Sequence, residues 1–293
     1  MTPIIPGCVP PFSHSRYWRD LWRQKKLALL AAPKYRTSHS YWKNKQNVLE
    51  LYLKSRKTAA WQEKIRSHLD FMKISAGSRV LDIGGGTGTL AVPLAARGCR
   101  VTVVEPSPMM REGLAENECE AGVSGIRVIP KRWEDVSLQE LDGPFDAVID
   151  GYALSMPDIG EALEKMQASC TGTVHLFWFL TPPAWDRISI DLWPALHGGV
   201  YPGEPLADCL WQVLYEMGIH ANLTVEAKRP TFFSSVEAAA QDYFQRLNCS
   251  TPEQEQVLLS YFGEHLHRSG DGFSFGGRSF SAHIWWNGGD GTA

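Results

Sequence analysis

Val80-Leu81-Asp82-Ile83-Gly84-Gly85-Gly86-Thr87-Gly88-Thr89-Leu90 is the stretch on which the fold of this chain turns. It opens on an apolar run, 78–83, that reads as a buried strand. It closes on a helical run, 90–97, that Gly98 stops. Glycines between the two let the backbone turn tightly and approach a ligand with no Cβ in the way. The free N–H groups at a helix start favour polar or anionic ligand groups. A glycine-rich loop alone says little, but between a strand and a helix it reads as a nucleotide-type site.

Downstream, short apolar runs alternate with helical ones. Strands are expected at 100–104, 126–129, 145–150 and 173–180, and helices at 108–121 and 159–168. That alternation predicts a parallel sheet with helices on both faces. Residues 181–203 are rich in Pro, Gly and Trp and have no clear period. A helix at 206–217 and a sixth strand at 222–227 follow. Two helices, 236–247 and 252–265, then stand as an insertion of about 230–270 before a last strand at 280–286. Upstream, apolar spacing predicts helices at 17–30, 40–56 and 60–72. The predicted division is therefore a helical N-terminal cover, 1–75, and an α/β core, 76–293, with a helical insertion.

The second informative element is Val103-Val104-Glu105-Pro106-Ser107. Glu105 ends the second strand, where an acid can accept hydrogen bonds from the two hydroxyls of a ribose. The alternative reading is an acid stabilised by the start of the next helix. The loop itself is Asp82-x-Gly84-x-Gly86-x-Gly88, not Gly-x-Gly-x-x-Gly. An acid two residues ahead of the first glycine would repel a pyrophosphate and suits a zwitterionic amino-acid moiety.

These residues resemble the motifs of class I S-adenosylmethionine-dependent methyltransferases over about 76–180. The resemblance implies a Rossmann-like, seven-stranded, mostly parallel sheet. It implies S-adenosyl-L-methionine as methyl donor, leaving as S-adenosyl-L-homocysteine. The donor-binding residues it implies are Asp82, Gly84, Gly86, Gly88, Glu105, Ser107, Met110, Trp133, Glu134 and Asp150. Within that set Glu105 would hold ribose, while Met110, Trp133 and Glu134 would flank adenine. Asp150 would end the fourth strand beside the methyl. The aromatic residues Tyr41, Trp42, Tyr52 and Trp61 resemble N-terminal helices that cover the cofactor in this class.

On the acceptor the residues say less. Direct displacement at a sulfonium methyl asks mainly for alignment of the nucleophile, and for a base only where a proton must leave. Asp150 and Tyr152 fall where an acceptor should approach and are the catalytic candidates. No Asn-Pro-Pro-Tyr signature follows the fourth strand. His175 reads as a core histidine, and Trp178, Trp185, Trp193 and His197 as either an aromatic pocket or a packed loop.

Composition bounds the rest. The chain has 293 residues, 44% of them hydrophobic and 21% charged, which suits a soluble globular protein. No run of about 18 apolar residues exists to span a membrane, and 1–15 lacks the apolar core of a secretory signal. Six cysteines with no Cys-x-x-Cys pair read as free thiols, with no metal site expected, in a cytoplasmic protein. The net charge of −3 hides an asymmetry: residues 1–75 hold 15 Lys/Arg against 4 Asp/Glu. Basic residues within 16–73 either bind nucleic acid or pack on the acidic core. The leading expectation is a small-molecule methyltransferase. The alternatives are an RNA or protein methyltransferase using the basic segment, and a non-catalytic S-adenosylmethionine-binding protein.

Overall fold

The computed structural model describes residues 16–32, 58–228 and 230–291. The expected helix at 40–56 and its aromatic residues lie outside them. Seven strands form the main sheet: β1 (Arg79–Ile83), β2 (Arg100–Val104), β3 (Arg127–Ile129), β4 (Phe145–Gly151), β5 (Cys170–Phe179), β6 (Asn222–Lys228) and β10 (Ser279–Asn287). Their order is β3-β2-β1-β4-β5-β10-β6. Strands β1 to β5 pair in parallel, and β10 runs antiparallel between β5 and β6. The chain winds outward from β1 to β3, then returns to place β4 on the other side of β1. Ligands bind at such a reversal, outside the carboxyl ends of the strands.

Alternate residues along the strands feed two cores on opposite faces of the sheet. Val148, Leu176 and Ile284 point into one, with Trp22 of α1 (Tyr17–Ala31), α5 (Ile159–Ser169) and α7 (Ala207–Glu216). Ala147, Ile149 and Phe177 point into the other, with Leu69 and Met72 of α2 (Ala59–Met72) and Leu94 of α3 (Ala91–Ala96). The two described N-terminal helices are thus built into the layers on opposite faces of the sheet. Their side chains explain why: Trp22 is fully buried and its indole N–H donates to Met156 O at 3.0 Å.

Helix ends follow local chemistry. Ser107 caps α4 (Pro108–Ala121), with a proline in the first turn, its Oγ accepting from Met110 N–H. Thr251 and Gln254 form a capping box at α9 (Pro252–His265).

Residues 181–203, which have no clear period in the sequence, are mostly helical, since α6 (Ala184–His197) occupies most of the segment, with Pro194 inside it. One expectation needs correcting: the insertion is not purely helical. Besides α8 (Val236–Arg246) and α9 it holds a three-stranded antiparallel sheet, β7 (Thr231–Phe233), β9 (Gly272–Phe275) and β8 (Leu266–Ser269). Together with α6 these elements enclose a third core around Trp193, Tyr243 and Phe262, which Leu29 of α1 also enters.

Candidate active site

The loop after β1 is fixed to its neighbours by the backbone. Gly84 N–H donates to Val104 O and Gly88 N–H to Gly85 O, both at 2.8 Å. Gly84 and Gly86 have φ of 64° and 56°, a region that favours glycine. A Cβ at Gly84 would stand 2.2 Å from Ala153 Cβ, so only glycine fits. At Gly88 a Cβ would meet Leu114 Cδ1 at 2.4 Å and Val92 Cγ2 at 2.8 Å. Gly88 is therefore glycine for packing, turned inward. Gly86 differs: a Cβ there would meet nothing closer than Met110 Sδ at 3.7 Å, so its φ and not crowding favours glycine.

Glu105 closes one side. Its carboxylate accepts from Gly86 N–H at 3.0 Å and Ser107 N–H at 2.8 Å. Two N–H donors leave two of about four carboxylate lone pairs for other partners. Burial pushes the Glu105 carboxyl up, against the pull of those N–H groups and of Arg111. Asp82 ends β1, and burial with the neighbouring Glu105 charge pushes it up to about 7. Asp150 ends β4 across the reversal. It is fully buried; Oδ1 accepts from Ala153 N–H at 2.9 Å and Oδ2 has no protein partner. Burial pushes Asp150 up to about 8 despite that hydrogen bond, and the Asp82 charge adds to it. Three acids thus converge at the carboxyl ends of β1, β2 and β4.

Other expected donor residues divide. Ser107 and Met110 stand at the start of α4 beside Glu105 and Gly86. The ring of Trp133 is not an open face. It is buried, its N–H donates to Ala162 O at 3.2 Å, and Lys165 Nζ lies 4.5 Å over it. Its apolar bulk packs in the core against α5. Glu134 is exposed and pairs with Arg132 at 2.7 Å.

Beyond the acids the site has two walls. On the α1 face, Lys26 is buried, 2.5 Å from Glu204 and 5.1 Å from the Trp178 ring centroid. Asp186 of α6 lies near them, pushed up to about 6 by burial and by the Glu204 charge. On the α2 face, Tyr152 follows β4 with φ 67°, and its hydroxyl stands 2.5 Å from Lys228 Nζ at the end of β6. Of these residues only Tyr152 was legible in the sequence. Lys26 left a signal, since it shares the buried stripe of Trp22 and Leu29 at helical spacing. Asp186, Glu204 and Lys228 left none.

The remaining aromatic expectations resolve into packing. His175 shares a 3.0 Å hydrogen bond with His283 in the core. Trp193 stacks near Tyr201 and His197 within the insertion core. Trp178 is buried and donates to Pro205 O at 2.8 Å. Trp185 stays half-buried, its ring 6.0 Å from Phe179. Among the described residues no group of acids, histidines and cysteines is placed to hold a metal, and no helix is long and apolar enough to cross a membrane.

Residues 80–171 match a family model described as a methyltransferase domain. An uncharacterized protein of Haemophilus influenzae is 28% identical over 244 residues, covering 79% of this chain and 83% of its own. A candidate methyltransferase of Bacillus halodurans shares the fold: the TM-score is 0.51 at 17% identity, over 76% of this chain and 97% of the other. A S-adenosylmethionine-dependent methyltransferase of Geobacter sulfurreducens, in complex with S-adenosyl-L-homocysteine, gives a TM-score of 0.46 at 14% identity, over 77% and 90%. Residues 80–171 thus match a methyltransferase domain, and the chain shares the fold of the Bacillus halodurans protein.

Proposed function

We propose that the protein transfers the methyl group of S-adenosyl-L-methionine to a small-molecule acceptor at the carboxyl edge of the sheet. The observation that carries this reading is the convergence of Asp82, Glu105 and Asp150 at the carboxyl ends of β1, β2 and β4, beside the glycine loop. The donor is a cation carrying an ammonium and a sulfonium, and three buried acids beside a glycine loop suit it. An unpartnered buried oxygen on Asp150 and the raised carboxyls of Asp82 and Asp150 fit the same ligand, because a nearby cation would favour their ionised forms.

In this reading Glu105 holds the ribose hydroxyls through its two remaining acceptor sites. The Gly86 backbone passes beneath the donor, and Met110 packs beside it. Asp82 and Asp150 orient the charged methionine end. When bound, the donor supplies an already activated methyl, so the protein need form no covalent intermediate. The residues align the acceptor and exclude water, and alignment of this kind reaches effective molarities of about 10⁵–10⁸ M.

The acceptor side supports a small molecule. Of the described basic residues of the N-terminal segment, Arg19, Arg23, Lys26 and Lys64 pair with acids elsewhere in the chain and Arg66 with Glu63 of its own helix. Charge spent internally favours packing over nucleic-acid binding. Free cysteines at 99, 119, 170, 209 and 249 suit a cytoplasmic location. The helices α1 and α2 and the insertion form the cover over the acceptor. Calorimetry with S-adenosyl-L-methionine and S-adenosyl-L-homocysteine tests the reading. Binding that Asp82→Ala and Glu105→Ala each weaken is expected, and no binding by the wild type would sink it.

A further inference from the structure

Tyr152 lies two residues beyond Asp150, in the left-handed backbone region, at φ 67°. Such a conformation is unfavourable for a non-glycine residue and persists only where the surroundings enforce it. Here Tyr152 N–H donates to Phe177 O at 3.1 Å, and the ring lies 5.0 Å from Phe179. The strained turn swings the phenol across the edge of the sheet towards Lys228, the last residue of β6. The hydroxyl and the amine are 2.5 Å apart, and Lys228 Nζ is 3.9 Å from the centroid of the same ring. Phe179 covers the amine at 5.8 Å.

Every neighbour of Lys228 acts on its proton. Lys64 of α2 repels it, and Glu226 of β6 attracts it. Glu226 is already engaged, by His68 of α2 at 2.8 Å and by Lys64 at 3.5 Å. His283 of β10 stacks on Phe177 behind them and is pushed down to about 4, mainly by burial. Burial and the Lys64 charge bring Lys228 down to about 7, while burial pushes the Tyr152 phenol up. Lys228 thus holds or yields a proton near neutral pH, and Tyr152 remains a phenol. A neutral amine accepts the Tyr152 hydrogen, and an ammonium donates to the Tyr152 oxygen, so the contact survives both states.

Resting on the methyltransferase reading above, we propose that Tyr152 and Lys228 form a proton relay that deprotonates the acceptor, and that the acceptor is an aromatic hydroxyl. The aromatic surfaces of Tyr152, Phe179 and Trp185 suit a planar ring. A phenol ionises near pH 10, so at neutral pH it needs a base to react. As the acceptor oxygen bonds to the methyl carbon, the carbon–sulfur bond breaks and its electron pair stays on sulfur. The acceptor proton passes to the Tyr152 oxygen, the Tyr152 proton passes to the Lys228 amine, and the ammonium later releases it to water. The products are the aryl methyl ether and S-adenosyl-L-homocysteine.

The test uses two probe acceptors with labelled donor: a simple phenol, protonated at about pH 8, and a nitrophenol ionised at that pH. Wild type, Lys228→Met, Lys228→Arg and Tyr152→Phe are compared, with donor affinity as the check on folding. For the protonated phenol, the lysine variants are expected to lose about 10²–10⁴-fold in kcat/KM, with the acid limb near pH 7 abolished. For the ionised nitrophenol, the loss should stay under about tenfold, because no proton has to leave. Equal losses with both probes would reduce the pair to packing and overturn the proposal. Donor binding without transfer to either phenol, or transfer to benzylamine instead, would overturn the acceptor class. Absence of donor binding in the wild type would overturn the methyltransferase reading itself.

Discussion

The two ends of the site draw on different kinds of sequence information. At the proposed donor end, Asp82, Glu105 and Asp150 stand at the carboxyl ends of β1, β2 and β4, each close to the turn that follows. Gly86 and Ser107 complete that end by donating N–H groups to Glu105. At the acceptor end, Lys26, Tyr152, Asp186 and Lys228 come from α1, the turn after β4, α6 and β6. None is a sequence neighbour of another, and none is set by a glycine pattern. The donor end is therefore written in the backbone, and the acceptor end in side chains that only tertiary packing brings together.

Substitutions can break this contrast. The largest effect is expected at Gly84→Ala. The added methyl meets Ala153 Cβ at 2.2 Å, and neither small side chain has room to move. Donor affinity, read by calorimetry, should fall 100-fold or more, equivalent to about 3 kcal/mol. Glu105→Gln comes next. It replaces one acceptor oxygen with a donor facing the Gly86 and Ser107 N–H groups, and should weaken donor binding about 10–100-fold. A variant that binds as well as wild type would remove Glu105 from the ribose role.

A smaller effect concerns pH. The carboxyls of Asp82 and Asp150, raised to about 7 and about 8, ionise more readily beside a cation. Donor affinity should rise several-fold from about pH 6 to about pH 8.5, with proton release on binding. Calorimetry in buffers of different ionisation enthalpy counts those protons, and Asp150→Asn should reduce the number. The sign for stability is opposite. Both folded values lie above the ordinary carboxylate range, so the folded state without donor binds the extra protons. The stability from these two groups is present at about pH 4 and is lost as pH rises through about 7–8. Thermal melts of wild type against Asp82→Asn should show that slope flatten. The smallest effect is expected at Arg66→Ala. The Arg66–Glu63 pair is exposed, so stability should change by less than about 0.5 kcal/mol and donor affinity not at all.

The same contrast explains what the sequence revealed. The bounds expected for α4 and α9 match the structure, because Ser107-Pro108 and Thr251-Pro252 are local start signals. The strands of the main sheet were legible from short apolar runs. Helix α6 was hidden because prolines at 183 and 194 and scattered tryptophans obscure its period. Strands β7, β8 and β9 were missed because each holds only three or four residues and gains its identity by pairing. The contacts of Trp133 with Ala162 and Lys165 were not legible either, since they join residues about 30 positions apart. Lys228 gives no motif signal, since its partner Tyr152 is 76 residues away.

The pairing of β6 with β10 has a corollary for engineering. Lys228 and Ser279 face each other in the ladder, so the chain leaves the sheet and re-enters it at adjacent positions. The described chain between, residues 230–278, is an excursion whose two ends lie side by side. Bringing the ends of a long excursion together grows costlier only slowly with its length. Length changes at the far side of this excursion should therefore disturb the strands that carry the acids little, provided the core it shares with α6 and Leu29 is kept. Chimaeras joined at this point offer a route to new acceptor ranges on an unchanged donor platform.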